Sequence, residues 1–274
     1  MDSPELKSQD SPISAYEKAA EEGVDPRCIP QSLEEEPPVG SEIEYPGYPD
    51  SDHEIWRTLF ERQKSLLPGR AAEAYLDGID ILGLQNDRIP ALRDLSEALD
   101  RATGWKVARI PGLLHEKDFF GLLARRVFPS TDYIRGVEEL DYTPAPDLFH
   151  DIFGHMPMLT DPDFADFYHR FGQAALNAKG ADRISLERLH WFTVEFGLVD
   201  QAIGRRIYGA GILSSKEEVR HALSEEVTVH RFDPDRVTEQ DYEVWHLQDV
   251  LFVVDSFAEL ESGFKDWTFR RGLT

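Results

Sequence analysis

The sequence predicts a mostly α-helical fold, organised as a single compact domain with a few short β-strands. From residue 51 onward, apolar residues recur at the three- and four-residue spacing that places them on one face of a helix. Apolar stretches with the length and pattern of strands are short and few. Apolar residues make up 41% of the 274-residue chain, which is enough to build a core.

Residues 1–50 are predicted to be a disordered acidic, proline-rich tail, and residues 51–274 the folded domain. The tail contains eight of the 17 prolines and the run Glu34-Glu35-Glu36. Such a composition buries too little apolar surface to offset the entropy lost on ordering. A short helix over residues 13–22 is the one regular element expected there.

Helices and strands follow in order along the domain. Ser51 can cap the first helix, on which Trp56 and Phe60 share an apolar face. Further helices are predicted over residues 71–81, 90–103, 118–126, 147–156, 163–177, 185–203 and 216–223. Residues 105–110 alternate like a short strand, and the apolar run at residues 250–254 indicates another.

Charge and composition exclude several classes of function. The net charge of −23 argues against a nucleic-acid partner, because such binding depends on Lys and Arg contacts to phosphate. The same charge disfavours anionic membrane surfaces, and no apolar run is long enough to span a bilayer. The polar, acidic first residues lack the features of a secretory signal. The one cysteine, Cys28, excludes an internal disulfide framework, so a reducing cytoplasm is the expected location.

Two histidines lie in the densest part of the sequence, residues 142–159. His150 falls inside a predicted helix, and His155 follows five residues later, directly after Gly154. Each α-helical residue turns by about 100°, so residues five apart point roughly 140° away from each other. The pair can therefore share a metal only if His155 leaves the regular helix, which Gly154 and Pro157 would permit.

A carboxylate in a second apolar segment is a candidate third ligand. Glu195 lies between Trp191 and Phe196 among further apolar residues, where an unpaired carboxylate is costly. Two imidazoles and one carboxylate form the facial triad of non-haem iron oxygenases, which leaves coordination positions open. The spacing alone leaves two alternatives open: histidines with a structural role beside a salt-bridged glutamate, or a zinc site.

Several longer motifs resemble those of the pterin-dependent aromatic amino acid hydroxylases. The segment PDLFHDIFGHMP (residues 146–157) resembles their iron-binding motif, and WFTVEFGL (191–198) resembles the segment that carries their third ligand. The segments TGWKVARIPGLL (103–114), RRVFPSTDYIR (125–135) and YGAGILSS (208–215) also match. The likeness runs from about residue 53 to about residue 257 and is greatest to bacterial single-domain members that act on phenylalanine.

The resemblance implies roles for individual residues. The iron ligands would be His150, His155 and Glu195. The pterin would be bound by Gly112, Leu113, Leu114, Phe119 and Asp151, with Phe119 stacking on its ring. The amino acid would be bound by Arg135, Thr143, Pro146, Trp191 and Ser214, with Arg135 holding its carboxylate. Asp151 and Trp191 are also predicted to be catalytic residues.

The activity implied is that of a monooxygenase that hydroxylates the ring of a free aromatic amino acid. It would use O₂, non-haem iron(II) and a tetrahydropterin, and phenylalanine would be converted to tyrosine because the bulky Trp191 should crowd an indole. Tryptophan hydroxylation is the first alternative. A zinc hydrolase with Asp151 as general base is a second one. A non-catalytic pterin-binding protein would need no complete triad.

Three positions depart from the family pattern. His190 stands where many relatives have tyrosine, and Leu251 where many have an aromatic residue. Asp249 follows Gln248 where proline is common, and tryptophan hydroxylases share the sequence QDV near this point. These departures keep tryptophan open as the substrate. Neither a regulatory domain nor a tetramerisation helix is recognisable, so a monomer is expected.

Overall fold

The computed structural model describes residues 26–141, 143–244 and 246–274 of the chain. The α-helices are α1 (Asp50–Leu66), α2 (Glu73–Ile81), α3 (Leu92–Thr103), α4 (Glu116–Leu123), α5 (Pro162–Asn177), α6 (Ala181–His190), α7 (Ala210–Ser214), α8 (Lys216–His221), α9 (Pro234–Val237) and α10 (Phe257–Arg270). The strands are β1 (Lys106–Ile110), β2 (Val127–Thr131), β3 (Gly197–Gln201), β4 (Gly204–Ile207), β5 (Thr228–Arg231) and β6 (Val250–Val254). The predicted mostly helical domain with a few short strands is confirmed.

Two small sheets accompany the helices. Strands β1 and β2 form a parallel pair, and a second sheet has the order β4-β3-β6-β5, in which only the β3–β4 pair is antiparallel. The strands expected at residues 105–110 and 250–254 correspond to β1 and β6. Within the described ranges, every helix is too short or too polar to cross a lipid bilayer.

Two π-helices, in which backbone hydrogen bonds join residues five apart, interrupt the α-helical pattern at His150–His155 and Trp191–Glu195. The first is held by contacts from other elements. Tyr75 of α2 donates a hydrogen bond to the Phe153 carbonyl at 2.5 Å. Gly154 lies so close to α7 that an added Cβ would be 2.9 Å from the Ala210 carbonyl oxygen. Close packing from two sides thus fixes a backbone conformation that is rare by itself.

The helix predicted over residues 185–203 is shorter than expected. The α-helix ends at His190, the second π-helix ends at Glu195, and β3 begins at Gly197. A Cβ at Gly197 would lie 2.1 Å from the Tyr208 ring, so only glycine allows this close approach. The apolar run that follows fits a buried strand as well as a helix, because periodicity does not separate the two over five residues.

Residues 26–50 belong to the folded structure, so the predicted boundary at residue 50 is wrong for this part of the segment. Cys28 is fully buried with its Sγ 3.0 Å from the Pro144 carbonyl oxygen, and Ile43 joins the main core. Gln31 pairs with Leu114 through the backbone. A few well-placed apolar side chains and backbone pairs outweigh an average composition that is polar. The helix expected over residues 13–22 lies outside the described residues.

Candidate metal centre and its two flanking cavities

The first π-helix brings His150 and His155 together. Its wider turn places residues five apart on the same side, so the histidine Nε2 atoms approach to 3.0 Å. The prediction that the pair requires a departure from α-helix is confirmed. The departure is a π-helix that contains both residues, whereas the sequence suggested that the chain would leave the helix at Gly154.

The second π-helix supplies the carboxylate. Glu195 Oε1 lies 3.2 Å from His155 Nε2, and Oε2 lies 3.6 Å from His150 Nε2. One ligand atom from each of the three residues lies within 4.8 Å of the others. The three predicted ligands therefore converge on one point from two separate segments of the chain.

A hydrogen-bond chain sets the tautomer of His150. The Ser214 hydroxyl donates to the Ala210 carbonyl at 2.8 Å, so its oxygen is left to accept from His150 Nδ1 at 2.9 Å. His150 then carries its proton on Nδ1, and the lone pair of Nε2 faces Glu195 and His155. Such a partner on the far nitrogen is the usual way in which a metal-binding imidazole is oriented.

The pKa values of the triad keep it suited to a cation. Burial lowers the pKa of His150 to about 4, which leaves it neutral. Burial alone would raise the pKa of Glu195, but His155, through its charge and its hydrogen bond, holds that pKa below its ordinary value. For His155 the effect of Glu195 outweighs burial and raises the pKa. Glu195 as an anion and His150 as a neutral imidazole are in the form that binds a metal ion, whereas a metal ion has to displace a proton from His155, whose pKa is raised.

The first cavity beside the triad, called here the Phe119 cavity, has largely apolar walls. All five residues predicted to bind pterin line it: Gly112, Leu113, Leu114, Phe119 and Asp151. Asp151 Oδ2 accepts hydrogen bonds from the Thr131 backbone at 2.8 Å and from its hydroxyl at 3.0 Å. Burial nevertheless raises the pKa of Asp151 to about 7.

The second cavity, called here the Arg135 cavity, is more polar. All five residues predicted to bind the amino acid line it: Arg135, Thr143, Pro146, Trp191 and Ser214. Pro146, His150, Trp191 and Glu195 line both cavities. The triad thus lies where the two cavities meet.

Asp147, a buried partner of Arg135, was not predicted from the sequence. The buried Arg135 donates to it three times: Nε to Oδ2 and Nη2 to Oδ1, each at 2.8 Å, and the backbone N–H to Oδ2 at 3.0 Å. Burial alone would raise the pKa of Asp147, but the Arg135 hydrogen bond and charge hold it below its ordinary value. In the sequence Asp147 reads only as a helix start, and no pattern connects it with an arginine twelve residues earlier.

The loop after α9 supplies a second group of missed residues. Trp191 donates from Nε1 to Gln248 Oε1 at 2.9 Å and stacks on Tyr242 with ring centroids 4.4 Å apart. Gln248 is buried and also donates to the carbonyls of Glu243 and His246. Gln248 itself is visible in the sequence, but its burial and its contact with Trp191 are not, so its role could not be inferred there.

The three departures from the family pattern lie in different places. His190 lines the Phe119 cavity, with Nε2 3.0 Å from the Tyr168 hydroxyl and Nδ1 3.9 Å from Glu195 Oε1. Leu251 is fully buried in β6, and Asp249 is exposed. Neither Leu251 nor Asp249 lines either cavity. Of these three residues, His190 alone lines one of the two cavities.

Comparison with known proteins agrees with this geometry. Residues 33–271 match the family described as biopterin-dependent aromatic amino acid hydroxylase. The phenylalanine-4-hydroxylase of Pseudomonas aeruginosa is 46% identical over 213 residues, which cover 78% of this chain and 81% of that protein.

Two solved structures are similar to the whole fold. The apo cold-active phenylalanine hydroxylase of Colwellia psychrerythraea has a TM-score of 0.81 and 36% identity, with 86% of this chain and 92% of that chain covered. Chromobacterium violaceum phenylalanine hydroxylase with bound iron(III) and oxidised 7,8-dihydrobiopterin has a TM-score of 0.79 and 42% identity, with 82% and 83% covered. With a family match over most of its length, the chain belongs to the biopterin-dependent aromatic amino acid hydroxylases.

Proposed function

We propose that this protein converts free L-phenylalanine to L-tyrosine with O₂, iron(II) and a tetrahydropterin. The observation that carries the proposal is the convergence of His150, His155 and Glu195 at the junction of an apolar and a charged cavity. Hydroxylation of an aromatic amino acid needs a metal, a flat reductant and an aromatic zwitterion in one place. The site offers one region for each of the three.

The three converging side chains fit iron(II). Two imidazoles and one carboxylate are the donor set of the facial triad, and His150 already presents its Nε2 lone pair. When bound, iron(II) and the reduced pterin together supply the electrons that activate O₂. The protein's own contribution is to hold these groups, to orient the substrate ring and to limit access of water.

The Phe119 cavity suits a pterin. Phe119 is half-buried and packs edge-on against the rings of Phe120 and His190, at centroid distances of 5.3 and 6.0 Å, which holds its face in place. A fixed aromatic face favours stacking of a flat heterocycle. Asp151 offers a carboxyl group held by Thr131 for polar contact with the same ligand.

The Arg135 cavity suits an aromatic amino acid. The Arg135 guanidinium uses Nε and Nη2 for Asp147, and none of the hydrogen bonds among the described residues uses Nη1. This remaining nitrogen is available for a substrate carboxylate. Trp191, fixed by Gln248 and Tyr242, and Pro146 form an apolar wall near the triad for the substrate ring.

The test is competition among amino acids. Protein loaded with iron(II) and supplied with tetrahydrobiopterin and O₂ receives phenylalanine, tyrosine and tryptophan at equal concentration, and the products are separated and quantified. Tyrosine formed from phenylalanine should dominate. If 5-hydroxytryptophan dominates, the substrate assignment is wrong while the family chemistry stands. A monomeric state and a cytoplasmic location remain predictions, and light scattering of the purified full chain tests the first.

A further inference from the structure

One buried carboxylate on the wall of the Arg135 cavity has no role in the function proposed above. Glu218 lies in α8 and lines the cavity together with Arg135 and Ser214. Glu218 as a whole is only 7% exposed. Among the residues that the structure describes, none forms a hydrogen bond with Glu218 Oε2.

Among the described residues, no ion pair joins Glu218 to a cation, and the charges nearest to it are acidic. The groups whose charges act on it are the acidic side chains of Glu217 and Asp249, and the Gln248 backbone N–H is its one donor. Lys216, on the same helix, is directed to Asp141 with Nζ 3.3 Å from Oδ1. A buried carboxylate without a cationic partner is costly, so its presence in a binding cavity points to a partner that arrives with the ligand.

We propose that Glu218 binds the α-ammonium group of the amino acid substrate. The inference rests on the proposed function, in which Arg135 binds the carboxylate of the same molecule. The charge of Arg135 is already balanced by Asp147, whereas that of Glu218 is not. A zwitterion therefore satisfies both groups at once, with its carboxylate toward the guanidinium and its ammonium toward Glu218.

This assignment predicts which parts of the substrate are recognised. An analogue without the ammonium group leaves Glu218 buried and unpaired, and an analogue without the carboxylate still satisfies it. The relevant probes are L-phenylalanine, 3-phenylpropanoate, which lacks the ammonium, and phenethylamine, which lacks the carboxylate. The ring is common to all three, so differences among them report on the two charged ends.

Binding of the three probes to the iron-loaded full chain under anaerobic conditions tests the assignment by calorimetry. Glu218→Gln keeps the shape and removes the charge. This substitution should weaken the binding of L-phenylalanine and of phenethylamine by about tenfold or more. The reason is that a hydrogen bond to a charged group contributes about 1.5–3 kcal/mol. Affinity for 3-phenylpropanoate should stay within about twofold, as expected of a ligand that makes no ammonium contact. Glu225→Gln, which removes an exposed carboxylate from the chain after α8, is the matched control and should bind all three probes normally.

Three results would overturn the assignment. One is unchanged binding of L-phenylalanine by Glu218→Gln in a protein whose parent hydroxylates phenylalanine; this leaves the proposed function intact. Another is an equal loss of affinity for all three probes in Glu218→Gln, which would indicate a structural role for Glu218. If the unmodified protein binds no L-phenylalanine, the proposed function fails as well. Glu218→Asp, which retains the charge on a shorter side chain, should give an intermediate loss and replaces Glu218→Gln if that variant does not fold.

Discussion

The two cavities beside the triad differ in how their polar groups are satisfied. In the Phe119 cavity, Asp151 has two hydrogen bonds from Thr131, and the other predicted ligands are apolar side chains or glycine. In the Arg135 cavity, a buried ion pair and the unpaired Glu218 lie close to the substrate position. The first cavity is complete without its ligand, whereas the second is electrostatically incomplete.

This difference teaches where binding and folding are coupled. Apolar walls such as Phe119 pack against the core and favour the folded state with or without ligand. Buried charges favour it only when each has a partner. The Arg135 cavity should therefore lower the stability of the free protein, and a bound ligand should restore it. The Phe119 cavity should not lower the stability of the free protein.

The largest expected effect lies at the triad that the cavities share. His155→Ala removes one of three ligand positions and should abolish pterin-dependent tyrosine formation, because both the affinity and the geometry of the metal site are lost. Iron content after dialysis and oxygen uptake measure the two effects. His169→Ala, which changes a half-buried histidine in α5 that lines neither cavity, should leave both unchanged. Full activity with zinc and none with iron would contradict the proposal that this site belongs to an iron-dependent oxygenase.

The next effect compares Asp147, the buried partner of Arg135, with Asp151 of the Phe119 cavity. Asp147→Asn leaves the buried Arg135 without its counter-charge and should lower the free energy of unfolding by about 3–5 kcal/mol. Asp151→Asn should lower it by about 1 kcal/mol or less, because burial already raises the pKa of Asp151 to about 7 and so disfavours its charge. Urea unfolding of both variants without metal at pH 7 measures the difference. Equal losses would show that the two cavities do not differ as stated.

A smaller effect concerns Glu218 and pH. Burial raises the pKa of Glu218 from 4.5 to about 7, an effect to which Glu217 and Asp249 add and which the Gln248 N–H opposes. The protonated group therefore stabilises the fold below pH 4.5, and this contribution is lost as pH rises through about 7. Between pH 4.5 and about 7, the melting temperature of Glu218→Gln should rise relative to that of the parent. Above about pH 7 the difference between the two should stay constant.

The control for this titration is Glu225→Gln, whose melting temperature should follow that of the parent at every pH. Saturating L-phenylalanine should raise the melting temperature of the parent more than that of Glu218→Gln at pH 8, since only the parent has a carboxylate for the ammonium group. A difference between Glu218→Gln and the parent that does not vary with pH would mean that Glu218 is not an unpaired buried acid.

Much of the site could be predicted from local sequence, and the reason is visible in the triad. The spacing of His150 and His155, with Glu195 in an apolar segment, made these residues candidate ligands, and the resemblance of the longer motifs to the family implied that they bind the metal together. The π-helix was not anticipated, because i→i+5 bonding has no strong local signal and depends here on contacts with Tyr75 and Ala210.

Arg135 was predicted from the resemblance, but the pairing of the charges in its cavity could not be predicted from sequence in the same way. The bond between Arg135 and Asp147 depends on how β2 and the first π-helix are placed in three dimensions, and an aspartate after proline reads as a helix start. Glu218 lies in a run of charged residues that resembles a solvated helix face. The prediction of disorder was wrong for residues 26–50 for a related reason, since their average composition conceals the buried positions of Cys28 and Ile43.

The smallest effect belongs to the apolar cavity. Phe119→Ala should raise the KM for tetrahydropterin by roughly two- to tenfold, because an aromatic stack contributes about 0.5–1.5 kcal/mol beyond the burial of area. The KM for phenylalanine should change less, since Phe119 lines the Phe119 cavity and not the Arg135 cavity. Phe232→Ala is the matched control: Phe232 is also half-buried but packs near Gly263 and lines neither cavity, so its loss should lower stability without changing the pterin KM. Equal increases in both KM values for Phe119→Ala would mean that the two cavities do not bind their ligands separately.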